Sequence, residues 1–159
     1  MGQQQLLLLV LATVIVGLAT VAGIQAFEQG STRAEADALT QTAVKIASDI
    51  QAKTEEPSQF GGYDGDLSSD GAQGSITLEE MGYETSSGVY STADGDCAIL
   101  AGGGSSAAGL DANSSISSDA GISVICESED VEIVTDVNNL DSDGIETKQA
   151  IDSSTDLSS

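Results

Sequence analysis

Histidine and tryptophan are absent from the 159-residue chain, proline occurs once, and only four residues are basic. Each shortage excludes something. Without histidine, neither a Ser–His nor a Cys–His nucleophile pair can form. The Gly102-Gly103-Gly104-Ser105 run lacks a lysine at the spacing of a phosphate-binding loop. Carboxylates are too frequent for any one pair to point to glycoside hydrolysis. No catalytic constellation and no cofactor motif stands out, so the chain reads as a non-enzyme without cofactors. Four basic residues against 26 acidic ones leave a net charge of −22, which repels nucleic acid and anionic lipid. With two Phe and three Tyr, the chain has material for only a lean soluble core.

What is present is unevenly placed. Leu6 to Phe27 reads LLLLVLATVIVGLATVAGIQAF and contains no charge. As a helix it would be about 33 Å long, the thickness of a bilayer's hydrocarbon core. It is apolar on all sides, so it is not one face of a soluble helix. It lacks the basic flank, the short apolar core and the small-residue cleavage site of a secretory signal, and is read as a retained helix. Gly17, Gly23 and several alanines along it permit close helix–helix approach, a composition also ordinary in membrane spans. Each glycine costs roughly 1 kcal/mol of helix stability relative to alanine.

From Thr32 the pattern becomes amphipathic. Ala36, Leu39, Ala43, Ile46 and Ile50 recur at helical spacing and form one stripe for packing onto the remainder of the chain. Pro57 ends the run, and Gly30-Ser31 marks a bend or weak joint. The spacing thus predicts one long helix, with residues 1–31 as an apolar membrane or filament-core segment and 32–56 as its amphipathic continuation. Residues 57–159 form an acidic, β-rich globular part.

Within that part, Thr77 and Glu80 have capping-box spacing, which predicts one helical turn ending at Gly82. Asp94-Gly95 joins two strand-like runs, 88–93 and 96–101, and Ser128-Glu129-Asp130 joins another two, 122–127 and 131–136. A long Gly/Ser/Ala loop separates the pairs, and the sequence from Asp152 reads as a frayed tail. The fold class expected is α+β, a long helix packed on a small antiparallel sheet. Cys97 and Cys126, the two cysteines, fall in the second and third strands. If the apolar run exports the chain, they form a disulfide that closes a loop of roughly 30 residues, worth about 3.5 kcal/mol. In a cytosolic protein they would be buried thiols.

The acid admits three readings: a hydrated halophilic surface, a calcium-dependent surface, or a disordered tail. Its spread through strands and loops favours the first. Calcium candidates are Asp64 with Asp66, Asp94 with Asp96, and Asp141 with Asp143. The last pair opens like an EF-hand loop, but Ala150 stands where the closing glutamate belongs. Asp-Gly is also plain turn chemistry. Asn113-Ser114-Ser115 fits a glycosylation sequon.

The apolar run from Leu6 to Phe27, its amphipathic continuation, the SITLEEMGY segment, the two hairpins and the late Cys97 and Cys126 together resemble the type IV pilin superfamily, including the pseudopilins of type II secretion. The resemblance covers nearly the whole chain, as architecture more than motif. It implies storage in the inner membrane, then extraction by an assembly platform and an ATPase motor into an extracellular filament at the cell surface. The homopolymer would be held by helix–helix packing of Leu6, Leu7, Leu8, Leu9, Val10, Val14, Ile15, Val16, Leu18, Val21, Ile24 and Phe27. The family's basic leader ends in glycine; here Gly2 alone could serve, and cleavage would leave Gln3 first. The family's early glutamate is missing, and Gln3, Gln4 and Gln5 stand nearby instead. Two further readings remain: a minor pseudopilin of a secretion or DNA-uptake apparatus, and a monomeric, membrane-anchored surface binding module, with or without dependence on calcium.

Overall fold

The computed structural model describes residues 2–67, 71–101, 106–111, 121–137 and 145–151. Asp141, Asp143, the Asn113 sequon, most of the long loop and the tail from Asp152 lie outside the described residues. The chain divides into two compact units, Met1–Ala34 and Glu35–Ser159.

One helix, α1, spans Gly2–Glu55. No proline interrupts it, and helical assignment continues through Gly30 and Ser31. Lys53 lies in the last turn, where its charge complements the helix dipole, and it pairs with Glu56 at 2.9 Å. Pro57 follows, extended, and a single 3₁₀ turn, Ser58–Phe60, closes on Gly61 in the left-handed region (φ 86°). The unit Met1–Ala34 consists of the first part of α1.

In the second unit, α1 meets a five-stranded antiparallel sheet. The strands are β1 (Tyr90–Ser91), β2 (Asp96–Ala101), β5 (Ile122–Glu127), β6 (Val131–Val137) and β7 (Ile145–Ile151), ordered β1-β2-β5-β6-β7. A two-residue ribbon pairs β3 (Ser106–Ala107) with β4 (Leu110–Asp111). The stripe Ala36, Leu39, Ala43, Ile46 and Ile50 is fully buried, joined by Ala47. It packs in one core with Cys97, Ile122, Val124, Cys126, Val131, Ile133 and Val137. These sheet residues alternate along their strands, as one pleated face requires. Before the sheet, Ala72–Ser75 forms a short helix, α2, and Leu78–Gly82 a hydrogen-bonded turn. The Glu80 amide donates to Thr77 Oγ1 at 3.3 Å and Gly82 takes φ 88°, so the cap contact and the glycine stop are present, on a hydrogen-bonded turn in place of the expected helical one.

Four differences from the sequence reading stand out. The first strand is shorter, two residues in place of six. The fourth runs one residue further, to Val137. A fifth strand, β7, pairs with β6 along its whole length. The sheet also carries apolar side chains on both faces. Ala98, Leu100, Ile125 and Val134 form a second buried cluster, with Leu110 of β4 packed against it. Strand β5 is accordingly buried at five successive positions.

Cys97 and Cys126 form a disulfide and sit directly opposite each other in the β2–β5 register. The bond joins the two hairpins, β1–β2 and β5–β6, at the centre of the sheet. It closes a 29-residue separation, for which the chain-entropy model gives about 3.5 kcal/mol. Chemical denaturation with and without reductant checks this. The reduced protein is expected to lose about 3 kcal/mol, and Cys97→Ser with Cys126→Ser should match the reduced wild type.

Candidate functional site

The feature that calls for a function is the first half of α1. Its twelve large apolar side chains predicted for filament packing, Leu6 through Phe27, are all exposed, from 53% at Val14 to 78% at Phe27. Leu11 belongs with them and is 57% exposed. Burying one such side chain is worth about 1.5–3 kcal/mol, so a run of this size is not stable against water alone. The helix is long and apolar enough to cross a membrane by length and composition. Its two hydroxyls are satisfied locally: Thr13 donates to the Val10 carbonyl and Thr20 to that of Gly17, each at 2.8 Å. That arrangement suits an apolar medium, where an unpaired polar group is costly. A Cβ added at Gly17 or Gly23 would meet nothing within 4 Å, so among the described residues no contact requires these glycines. Gly2 and Gln3, the processing candidates, open the helix and are exposed.

Asp64 and Asp66 shape a loop. The Ser58 amide donates to Asp64 Oδ1 at 3.0 Å, and hydrogen bonding from Ser58 holds the Asp64 carboxyl below its ordinary range. The Asp66 carbonyl accepts from the Ala72 amide. Asp94 and Asp96 flank the β1–β2 turn, where Thr92 Oγ1 accepts from the amides of Asp94 and Gly95. Gly95 itself admits no side chain, since a Cβ there would lie 2.4 Å from the Glu127 carbonyl oxygen and 2.9 Å from Leu39. Asp94 and Asp96 also line a cleft of about 620 Å³ with Glu35, Glu127, Glu129 and Asp130. Among the described residues, no group of three or more acidic, Cys or His side chains is arranged to hold a metal ion.

Two polar clusters escaped the sequence reading. Asp136 is 1% exposed. Ser123 donates to its Oδ1 at 2.7 Å, and Lys148 pairs with Oδ2 at 2.9 Å. Lys148, the one basic residue after Gly61, therefore neutralises a buried carboxylate. Only the pairing of β7 with β6 reveals this. The second cluster centres on Tyr83, whose hydroxyl donates to Asp49 on α1. The Tyr83 ring lies edge-on to Tyr90, centroids 4.9 Å apart, and Lys45 sits 5.6 Å above it. The contact ties the segment before β1 to the helix.

Desolvation, and then the Asp49 carboxylate, push the Tyr83 hydroxyl well above its usual pKa. A raised folded-state pKa stabilises the fold below the unfolded value, near 10, and that stabilisation is lost as pH rises through the folded value. Tyr83→Phe should cost about 1 kcal/mol at pH 8. Melting curves should show the gap from wild type narrowing above about pH 10.

Comparison with known proteins adds no relative: no family model, no curated protein and no solved structure matches the chain.

Proposed function

We propose that this chain is the structural subunit of an extracellular filament like those of the type IV pilins. Its apolar helix would be held in the inner membrane before assembly and then polymerise with copies of itself, leaving the acidic sheet unit facing water. One observation carries this reading. The helix that is uncharged from Leu6 to Phe27, with all its large apolar side chains exposed there, continues without a break into a stretch whose apolar stripe is buried on the sheet. A simple tether needs only the first stretch and a flexible linker. A filament subunit needs its folded part built onto the same helix that the neighbours grip.

Parallel packing of such helices replaces water by apolar side chains on every side, which fits a helix apolar all round. The glycines at 17 and 23 leave surface recesses that a neighbouring backbone can enter. The disulfide fits an oxidising, extracellular location. Assembly platform and motor are the partners such a subunit would need.

Electron microscopy of material sheared from cells tests the reading. Fibres containing this protein are expected; a protein that stays with the membrane and never forms fibres would be an anchored monomer instead. Leu8→Lys or Val16→Asp should abolish fibres, because each places a charge in the apolar bundle at a cost on the order of 3 kcal/mol in membrane insertion alone. Fibres of normal yield from either variant would contradict the proposal.

The acid makes a second outcome testable on the soluble unit. With −22 charges, self-repulsion is screened by salt, so the melting temperature should fall as ionic strength is lowered. A melting temperature that holds or rises in dilute buffer argues against a halophilic surface.

A further inference from the structure

Between its two apolar stretches, α1 passes through a short polar run. The uncharged run ends at Phe27, and the buried stripe begins only at Ala36. In between, Glu28, Gln29, Gly30, Ser31, Arg33 and Ala34 are exposed and Thr32 is half-buried. A Cβ added at Gly30 would meet nothing within 4 Å. Glu28 and Arg33 call for water, so the apolar medium that suits residues 6–27 does not suit this run. The sheet's core does not reach it either.

The local chemistry is also the least helical in α1. Gly30, Ser31 and Thr32 follow one another. Glycine loses the most backbone entropy in a helix, serine competes for backbone partners, and threonine is stiff at χ1. The hydroxyls of Ser31 and Thr32 both donate to the Glu28 carbonyl, at 2.9 and 3.1 Å. In the i→i−4 ladder that carbonyl belongs to the Thr32 amide, so two hydroxyls crowd one backbone bond. The carbonyls of Val10, Gly17, Ala36 and Ile50 each accept a hydroxyl from one side chain, those of Thr13, Thr20, Thr40 and Thr54.

We propose that residues 28–32 are the turn at which α1 opens. The ground state is the unbroken helix; the backbone bonds of this turn break and re-form while the helix on either side stays folded. Before the turn, an apolar medium offers a freed amide no other partner. After it, opening would pull the stripe from the sheet. At the turn itself water stands ready for every freed group, and no packing is lost. The inference holds whether residues 6–27 lie in a bilayer or among copies of the chain. Its use is mechanical. Drawn out from 1.5 to about 3.3 Å per residue, the turn yields about 9 Å of slack, so a pull on the apolar stretch is absorbed before it reaches the packed stripe.

Hydrogen exchange on the full chain in detergent micelles, read by mass spectrometry of fragments, tests it. Amides 31–34 are expected to exchange about tenfold faster than amides 10–25 and 39–50. Gly30→Ala, Ser31→Ala and Thr32→Ala together should slow amides 31–34 about tenfold, since alanine is the better helix former at each position. Thr40→Ala, which removes a lone back-bonded hydroxyl in the packed stretch, should leave them unchanged. Protection that is even from residue 10 to residue 50 would overturn the proposal. So would a triple variant that exchanges like the wild type, or one whose slower exchange comes with a raised melting temperature of the sheet unit, which would assign the change to global unfolding.

Discussion

The hydrophobic demand of a single helix is the constraint from which the rest follows. Half of α1 packs on the rest of the chain, and among the described residues the other half has no partner. Between Ala36 and Ile50 the apolar residues keep to one stripe, and the sheet is wide enough to cover it. Between Leu6 and Phe27 they occupy every side, more surface than one small sheet can bury. The change in pattern is therefore a change in what the helix must contact, self on one side of Ala34 and something apolar from outside on the other.

The sheet meets that demand with few resources. It has no tryptophan and no phenylalanine. Its stability draws on β-branched side chains in β5 and β6, on burial of both faces, and on a covalent bond between neighbouring strands. The acid sets a competing cost. Glu127 opposes Glu132 and Asp136 opposes Glu146 across the strands, pairings of like charge that weaken a sheet. Asp136 is neutralised by Lys148.

Much of this was legible in the residues. The five-residue stripe on α1 is buried as its spacing indicates, because helical periodicity is a strong signal when apolar and charged residues separate cleanly. The hairpins declared themselves through Asp94-Gly95 and Ser128-Glu129-Asp130. Strand β7 did not. Ile145-Glu-Thr-Lys-Gln-Ala-Ile151 has apolar residues only at its ends and in one alanine, and it gains its place from pairing with β6 rather than from local preference. The second face of the sheet was hidden for a related reason: Ile122-Ser-Val-Ile-Cys126 reads as a strand, yet periodicity alone cannot say that both sides are covered. The apolar surface of α1 was visible as composition. The acidic cleft was not, because it joins two turns and Glu35 through tertiary contact.

The cross-strand disulfide has a consequence for resistance to proteolysis. Cys97 and Cys126 bracket the longest stretch between the two hairpins, and their bond makes that stretch a closed covalent ring. A protease that cuts the backbone once inside the ring opens a loop but releases nothing. The β5–β6 hairpin stays fastened to β2, and the helix keeps its cargo.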